Sequence, residues 1–524
     1  MHEVTLQPPL PQLQPFDAFN RQLMGNVHPP EWHNPEPRGR YNLVVLGGGT
    51  AGLVTAVGAA GLGARVAIVE RDLLGGDCLN VGCVPSKALI RSSRAVAEAR
   101  RAARFGVCVD GEPRVDFPAV MERMRRLRAA ISPNDSAERL RSLGVDVFFG
   151  EGRFVAEDAL EVGGKRLRFA RACIATGARA AIPPIDGLAE AACLTNETLF
   201  SLTALPARFA VIGGGPIGCE IAQAFARLGA AVHLIEAGNG LLGREDRDAA
   251  TIVDQALRAD AVEVLLDTQV MQVRKGPGGK VLSVASAGGL AREIVVDEIL
   301  VGTGRLPNVE RIGLENAGVA HSARGVQVDD TLRTTNPKIY AAGDVCLPFK
   351  FTHTADASAR IVIRNALFFG KQSVRSLVVP WCTYTEPEVA HVGMYAHEAR
   401  ERGIEVRTYR ASLADIDRAR LDDAEDGFLD VCVKKGSDEI LGATMVGAHA
   451  GETISELTLA ISAGVGLGKI AETIHCYPTQ AEVIKRVADA YNRSRLTPGV
   501  QRALRFLLML RRESSFRFAR TLRE

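Results

Sequence analysis

The sequence is poor in cysteine, in excess charge and in long apolar runs. Ten cysteines among 524 residues are too few for a disulfide-stapled scaffold and favour a reducing compartment. A net charge of +2 gives no electrostatic footprint for a nucleic-acid partner. No uninterrupted apolar run reaches membrane-spanning length, and the N-terminus lacks a cationic stretch that leads into an apolar core. These absences predict a cytoplasmic protein, and its length predicts about three domains.

The chain opens with a proline-rich stretch and then shows a strand–helix–strand pattern. Residues 1–40 are rich in proline and poor in periodicity, which is typical of an irregular arm that lies on the body or is partly disordered. Apolar strands are predicted over residues 41–46 and 64–70, with a glycine-rich turn and an alanine-rich helix between them. This pattern is a βαβ unit.

The turn of this unit carries a dinucleotide-binding fingerprint. Gly47, Gly49 and Gly52 permit a tight turn and let backbone N–H groups approach a pyrophosphate at a helix N-terminus. Glu70 stands at the end of the second predicted strand, where a carboxylate binds ribose hydroxyls. The strand, the helix and the acid together predict a nucleotide site.

A related block recurs between residues 209 and 236. Gly213, Gly215 and Gly218 repeat the glycine pattern, and Glu236 takes the place of the ribose-binding acid. A carboxylate there accepts a hydrogen bond from a free 2′-OH but repels a 2′-phosphate, so NADH is predicted in preference to NADPH. The distance between the two blocks indicates two dinucleotide-binding domains rather than short tandem repeats.

Three further stretches describe the rest of the chain. Residues 86–143 are Arg-rich and helical in pattern, and from about residue 378 the pattern changes to mixed strands and helices. Residues 499–524 hold seven arginines and two glutamates interleaved with Leu and Phe, which predicts a basic amphipathic helix. We interpret that helix as packed within the chain or facing the partner in a dimer. Contact with an anionic membrane surface is the alternative.

Cys78 and Cys83, separated by four residues, follow the first βαβ unit. Two thiols at this spacing can close a small ring as a disulfide, which a nearby flavin or nicotinamide can reduce with two electrons. Their position beside a dinucleotide site argues against a structural disulfide or a zinc site. The sequence therefore predicts a redox-active pair and no structural metal site.

The segment that contains both cysteines resembles a known redox signature. It is similar to the redox-disulfide motif of the class I pyridine nucleotide–disulfide oxidoreductases, which include dihydrolipoamide dehydrogenase, glutathione reductase and mercuric reductase. The resemblance covers roughly residues 41–490 and includes further motifs in the order of the family. The segments that carry it are residues 75–87, 175–178, 302–308 and 342–345.

The resemblance implies an α/β fold with two Rossmann-like dinucleotide-binding domains and an α+β C-terminal dimerisation domain. The first nucleotide site would hold FAD, the second NAD(P)H, and the protein would be a homodimer. The implied divisions are a Pro-rich arm at 1–40, an FAD-binding domain at 41–190 and 305–377, an NAD(P)-binding domain at 191–304, a dimerisation domain at 378–490 and a basic tail at 491–524.

The resemblance also implies roles for single residues. Cys83 would be the flavin-proximal thiol, and Cys78 the interchange thiol that meets the acceptor. Lys87 would lie near the flavin, paired with Glu220 from the second nucleotide domain. The other cofactor-site residues that it implies are Thr176, Gly177, Gly304 and Asp344, the last resembling the acid that contacts the flavin ribityl chain.

The sequence departs from the disulfide-reducing members of the family at one catalytic position. Where those members carry an acid–base histidine before a Pro-Thr pair, this chain has Tyr477. A phenol with a pKa of about 10 moves protons poorly at neutral pH, whereas imidazole titrates there. Glu482 keeps the place of the acid that orients the histidine. Nearby Cys476 has no assigned role, and His475 is interpreted as structural, with a substitute base as the alternative.

Mercuric reductases share this tyrosine, which would contact the metal or its thiolate. The predicted function is therefore an FAD-dependent NAD(P)H oxidoreductase that passes electrons through Cys78 and Cys83 to a small acceptor. The predicted acceptor is Hg(II) or a related soft electrophile, because soft metals bind thiolates. The first alternative is a dihydrolipoamide dehydrogenase or other disulfide reductase. The NADH preference predicted from Glu236 agrees with this alternative, whereas Tyr477 in place of the histidine argues against it. The alternative of another class is a redox-sensing flavoprotein.

Overall fold

The computed structural model describes residues 11–286, 288–289 and 291–521, and the side chains of residues 513–521 are outside the description. Residues 1–10 of the predicted arm and residues 522–524 of the predicted tail also lie outside the described residues. Contacts divide the chain into two units, which meet in sequence at Leu377 and Val378.

The first unit contains strands, α-helices and short 3-10 helices. Its strands are β1 (Arg40–Leu46), β2 (Val66–Glu70), β3 (Val145–Phe149), β4 (Arg153–Ala156), β5 (Ala159–Val162), β6 (Lys165–Ile174), β7 (Ala178–Ala180), β8 (Arg208–Ile212), β9 (Ala231–Ile235), β10 (Glu263–Leu265), β11 (Thr268–Gly276), β12 (Gly279–Ser286), β13 (Ala291–Val296), β14 (Glu298–Val301), β15 (Arg305–Pro307), β16 (His321–Ser322), β17 (Gly325–Val326) and β18 (Ile339–Ala341). Its α-helices are α1 (Ala18–Val27), α2 (Thr50–Gly61), α3 (Gly76–Asn80), α4 (Cys83–Arg101), α5 (Phe117–Ile131), α6 (Ala137–Ser142), α7 (Asn196–Leu199), α8 (Pro216–Leu228), α9 (Arg247–Ala259) and α10 (Thr352–Leu367). The 3-10 helices are Ala102–Phe105, Ser132–Asp135, Glu315–Ala317, Gly343–Val345 and Val374–Ser376.

A mostly parallel sheet carries the first glycine turn. Its order is β3-β2-β1-β6-β5-β4, with β18 beside β6. β1 pairs in parallel with β2 and with β6, and its apolar residues from Tyr41 to Leu46 alternate little in burial, as expected of a strand covered on both faces. α2 connects β1 to β2 and packs against α10. The glycine turn and the end of β2 therefore meet at the carboxyl edge of the sheet, where open α/β sheets bind ligands.

A second parallel sheet repeats this design. Its order is β10-β9-β8-β14, and β8, α8 and β9 follow the same strand–helix–strand path as β1, α2 and β2. A three-stranded antiparallel sheet, β11-β12-β13, follows in sequence. β7 pairs with β15, which brings together the two stretches of chain that flank the second sheet.

The described part of the N-terminal arm lies on the first unit and differs from the expected irregular segment. The stretch between Pro15 and Pro29 contains no proline and forms α1. Farther along, the Trp32 Nε1–H donates to the carbonyl of Val147 at 3.1 Å. Asn34 exchanges two hydrogen bonds of 2.7 Å with the backbone N–H and C=O of Phe149. The arm thereby satisfies polar groups on the open side of β3, the edge strand of its sheet.

The second unit is built on an antiparallel sheet. Its strands are β19 (Pro380–Thr383), β20 (Glu388–Gly393), β21 (Val406–Ser412), β22 (Phe428–Lys434) and β23 (Ile440–Gly447), in the order β19-β20-β23-β22-β21. Its helices are α11 (Ala396–Glu401), α12 (Asp417–Leu421), α13 (Ala450–Ala463), α14 (Leu467–Glu472), α15 (Glu482–Ser494) and α16 (Pro498–Thr521), with a 3-10 helix at Leu413–Asp415. α13 and α15 pack on the sheet and bury Ile454, Leu457, Ile484 and Val487 in the core.

The predicted tail forms α16, although its expected start at residue 491 falls inside α15. Leu504, Phe506 and Leu507 of α16 are exposed in the single chain, so the structure does not show the intrachain packing that was one of the expectations. Contact with a partner subunit and contact with a membrane surface stay predictions. Within the part of the chain that is described, no helix is both long and apolar enough to cross a bilayer.

Candidate active site

The first glycine turn is too tight for a side chain at Gly47 or Gly52. Gly47 has φ of +109°, and a Cβ there would lie 2.3 Å from the carbonyl oxygen of Ala175. A Cβ on Gly52 would lie 1.8 Å from the carbonyl oxygen of Gly47. α2 begins at Thr50, directly after Gly49. The backbone therefore folds closely enough to place the N–H donors of the first turn of α2 beside the carboxyl edge of the sheet.

The Glu70 carboxylate is hydrogen-bonded to the backbone of this turn. Its two carboxylate oxygens accept hydrogen bonds from the N–H of Gly48 at 2.5 Å and of Asp72 at 2.7 Å. Burial raises the pKa of the carboxyl, and the two hydrogen bonds oppose that rise. A cavity of about 390 Å³ beside Glu70 is also lined by Gly47 and Thr176. A carboxylate next to a glycine cradle is the arrangement that holds the ribose and pyrophosphate of a dinucleotide.

Thr176 and Gly177 join the first sheet to the segment after β15. The Thr176 hydroxyl donates to the carbonyl of Asn308 at 2.7 Å, and the Gly177 carbonyl accepts from the Asn308 N–H at 2.9 Å. These bonds hold two of the motifs found in the sequence against each other at the rim of the 390 Å³ cavity.

The second glycine turn repeats the geometry of the first. Gly213 has φ of +107°, and a Cβ on Gly218 would lie 1.9 Å from the carbonyl oxygen of Gly213. Glu236, one residue beyond β9, accepts from the N–H of Gly214 at 2.6 Å and of Gly238 at 2.7 Å. A cavity of about 580 Å³ lies beside this turn, with Gly213, Gly215, Glu236, Gly304 and Arg305 among its lining residues.

The two cysteines form an asymmetric thiol pair. Both are free thiols, and Cys83 is the first residue of α4. A hydrogen bond from Cys78, another from Thr352 and the positive charge of Lys87 lower the pKa of Cys83 to about 6. The same bond to Cys83, together with burial, raises the pKa of Cys78. The thiolate form is therefore favoured at Cys83 over Cys78, and the α4 N-terminus also favours an anion at Cys83.

Lys87 and Glu220, predicted as a pair, lie together. The Nζ of Lys87 is 2.7 Å from Oε2 of Glu220. Lys87 lies one turn after Cys83 on α4, and Glu220 lies on α8, which packs against α4. The Glu220 side chain is only 6% exposed. This ion pair connects the redox segment to the second glycine-turn domain, while its catalytic role stays a prediction.

Arg305 connects three parts of the site and was not identified from the sequence. Its Nη1 lies 3.1 Å from a carboxylate oxygen of Asp77, next to Cys78, and its Nε lies 3.7 Å from the carboxylate of Asp344. Burial raises the pKa of Asp344, and the charge of Arg305 opposes that rise. The signal was available, because Arg305 stands inside the 302–308 motif and lines the 580 Å³ cavity.

Thr352 is a second residue that sequence reasoning missed. Its hydroxyl lies 3.3 Å from Sγ of Cys83, at the first position of α10. The packing of α10 on α2 brings it there from a distant part of the sequence. No local motif marks this threonine.

Tyr477, His475 and Glu482 lie in the second unit. The Tyr477 side chain is 69% exposed, and its hydroxyl donates to the Asp417 carboxylate at 2.9 Å, which raises the pKa of the phenol. His475 engages both ring nitrogens, Nε2 with Glu456 at 2.9 Å and Nδ1 with the Thr473 carbonyl at 3.2 Å. Cys476 is an exposed free thiol.

Glu482 begins α15, and one of its carboxylate oxygens accepts from Nε of Arg486 at 3.0 Å. Its other oxygen is buried and has no hydrogen-bond partner among the described residues. Only one of the two carboxylate oxygens therefore has a hydrogen-bond partner among the described residues, which is unusual when the other oxygen is buried.

Comparisons with known proteins match both units. Residues 41–359 match the family model described as pyridine nucleotide-disulphide oxidoreductase, and residues 379–488 match its dimerisation domain. A mercuric reductase of Bacillus cereus is 33% identical over 475 residues, which cover 90% of this chain and 75% of the relative. A dihydrolipoyl dehydrogenase of Chlamydia muridarum is 34% identical over 455 residues, which cover 84% and 95%. The HOCl-induced flavoprotein disulfide reductase RclA from Escherichia coli superposes with a TM-score of 0.77 at 28% identity, covering 86% of this chain and 99% of that structure.

Two glycine cradles beside a thiol pair define an oxidoreductase of the flavin and nicotinamide class. The chain belongs to the pyridine nucleotide-disulphide oxidoreductase family, and it is an FAD-dependent oxidoreductase with a C-terminal dimerisation domain. The family resemblance and the α/β fold class expected from the sequence are confirmed. The side-chain-free turn at Gly47 and Gly52 and the acid at Glu70 fit FAD as the resident cofactor.

Proposed function

We propose that the enzyme passes electrons from NADH through FAD and the Cys78/Cys83 pair to Hg(II) or a related soft electrophile. Bound FAD supplies two-electron transfer between a nicotinamide and a dithiol. The asymmetry of the pair supports this path, because the thiolate form is favoured at one sulfur and disfavoured at the other. Thiolates are also the ligands that soft metals prefer.

The observation that carries the choice of acceptor is the state of Tyr477. Disulfide reduction needs a group that exchanges protons near neutral pH. The hydrogen bond to Asp417 raises the pKa of the phenol above its ordinary value, so Tyr477 stays protonated there. His475 does not supply an obvious substitute, because both of its ring nitrogens have partners. A metal-ion acceptor takes electrons without this proton exchange.

The acceptor is tested by anaerobic reduction with NADH, followed by reoxidation with Hg(II), lipoamide, glutathione disulfide or a quinone. We expect Hg(II) to reoxidise the enzyme at least about tenfold faster than lipoamide, since an efficient general acid–base group is worth about 100-fold or more. Tyr477→His is the matched variant, and we expect it to raise lipoamide turnover. Rapid reoxidation by lipoamide alone in the wild type would instead support a dihydrolipoamide dehydrogenase. Reduction that no acceptor reverses would support a redox sensor.

The cofactor preference is a separate prediction. Glu236 sits beside the second cavity with both oxygens bound to backbone N–H groups, so a 2′-phosphate would meet a fixed negative charge. We expect kcat/KM for NADH to exceed that for NADPH by about tenfold or more, because juxtaposed like charges cost several kcal/mol. Glu236→Gln keeps the shape of the side chain and removes its charge. We expect this variant to have a smaller ratio of kcat/KM for NADH to kcat/KM for NADPH. A wild-type preference for NADPH contradicts the assignment.

We also propose that the enzyme is a cytoplasmic homodimer. Residues 379–488 match a dimerisation domain, and Leu459 and Ile474 of that domain are large apolar side chains exposed in the single chain. Burial of such side chains against a second copy is the usual driving force of a permanent dimer.

A further inference from the structure

The N-terminal arm contacts the segment that carries the redox cysteines. This segment runs from Glu70 to Cys83, and the family model begins only at residue 41, so the arm is an addition to the matched region. The Val27 carbonyl accepts from the N–H of Leu74 at 3.1 Å, and Nδ1 of His28 contacts the carbonyl of Asp72. Two points of the cysteine segment are therefore held directly by the end of α1.

A third contact reaches the loop between the cysteines through a buried arginine. Asn80 ends α3, and its carbonyl accepts from Nη1 of Arg128 at 2.6 Å. The second terminal nitrogen of Arg128 donates to Oδ1 of Asn20 on α1, also at 2.6 Å. Asn20 is fully buried and Arg128 is 3% exposed. The guanidinium is thus clamped between the arm and the cysteine loop.

Arg128 has little freedom to move between Asn20 and Asn80. Nε of Arg128 is buried and has no hydrogen-bond partner among the described residues, so its two terminal nitrogens hold the guanidinium in place. Asn20 is itself fixed, because its Nδ2 donates to the Pro15 carbonyl at 2.7 Å. A buried cation that loses one acceptor is strongly destabilised where it stands and moves towards another partner or solvent.

We propose that Asn20 is a positioning residue for the thiol pair, acting through Arg128 and the carbonyl of Asn80. The inference rests on the proposed redox role of Cys78 and Cys83. With Asn20 in place, Arg128 holds the peptide between the two cysteines, and the hydrogen bond from Cys78 to Cys83 keeps its geometry. Without it, that peptide is released and the thiolate at Cys83 loses part of its stabilisation.

The consequence is measurable at Cys83 itself. The groups that act on this thiol are Cys78, Thr352 and Lys87, which favour the thiolate, and Asp77, which opposes it. Asn20 carries no charge, so its replacement by alanine removes no charge near the thiol. Weakening the Cys78 bond raises the pKa of Cys83.

The test compares Asn20→Ala with Asn26→Ala in the full-length FAD-loaded enzyme. Asn26 lies on the same helix, and its side chain donates to Ser132 at 2.8 Å rather than to the cysteine segment. The readout is the long-wavelength thiolate–flavin absorbance of the two-electron-reduced enzyme against pH. We expect Asn20→Ala to decrease the acid dissociation constant of Cys83 about three- to tenfold. This is the size expected if part of the free energy of one hydrogen bond to a charged group is transmitted to the thiol. Asn26→Ala should leave this constant unchanged.

A second substitution keeps the result interpretable. If Asn20→Ala does not fold, Asn20→Ser replaces it, because the shorter hydroxyl cannot reach Arg128 and the same shift is expected. Equal shifts in the Asn20 and Asn26 variants, or no shift in either, overturn the proposal. A wild-type enzyme that takes up only the two electrons of the flavin and shows no thiolate absorbance refutes the redox role of the pair instead.

Discussion

Cys83→Ala is expected to lower NADH-dependent turnover with every acceptor by roughly a thousandfold, because loss of a group that acts in the chemical step has effects of this order. The thiolate occupies the start of α4, receives hydrogen bonds from Cys78 and Thr352 and lies within the field of Lys87. Steady-state rates with Hg(II) and lipoamide measure the loss.

Cys78→Ala gives a different result. Turnover should fall to a similar extent, while NADH still bleaches the flavin, because Cys83 remains and the cavity beside the second glycine turn is untouched. Cys108→Ala is the matched control, since Cys108 is an exposed free thiol outside the site, and its turnover should equal that of the wild type. Unchanged turnover in Cys78→Ala would rule out the interchange role.

The pH dependence of the wild type follows from the same pair. A lowered pKa means that Cys83 is a thiolate above about pH 6 and a thiol below it. The long-wavelength absorbance of the reduced enzyme should therefore grow as the pH rises through about 6 and fade as it drops. Cys83→Ala should lack the absorbance at every pH. If Cys78→Ala rather than Cys83→Ala abolishes it, the two roles are exchanged.

The sequence was most informative where function depends on local backbone. Both glycine turns, and the acids that are hydrogen-bonded to them, belong to short motifs, so Gly47, Gly52, Glu70 and Glu236 were located without a structure. The Lys87–Glu220 contact was found through the family resemblance, since nothing in the spacing of two distant charges requires them to meet.

Features that depend on tertiary packing were missed because they join residues that are far apart in the sequence. Thr352 reaches Cys83 only because α10 packs on α2. The link from Asn20 to Asn80 passes through a buried arginine on α5, which in sequence is one of many arginines in the Arg-rich stretch 86–143. The prolines around α1 also concealed a helix, because composition over forty residues averages out a short stretch without proline.

Gly52→Ala and Gly218→Ala are expected to have large and separate effects. An added Cβ would lie 1.8 Å from the carbonyl oxygen of Gly47 in the first case and 1.9 Å from that of Gly213 in the second. Neither obstacle is a flexible side chain, so the turn itself must open. Gly52→Ala should be purified with little FAD, whereas Gly218→Ala should keep FAD and lose at least about tenfold in kcat/KM for NADH.

Gly61→Ala provides the matched control, because Gly61 ends the same helix as Gly52 and a Cβ there meets nothing within 4 Å. Alanine favours a helix over glycine by up to about 1 kcal/mol, so this variant should bind FAD normally and melt at the same temperature or slightly higher. Flavin content from absorbance and NADH kinetics distinguish the three variants. Loss of FAD from Gly218→Ala as well would mean that the two turns are not independent cofactor sites. If Gly52→Ala kept both its FAD and its NADH turnover, the first glycine turn could open without releasing its ligand. The steric explanation of that turn would then be wrong.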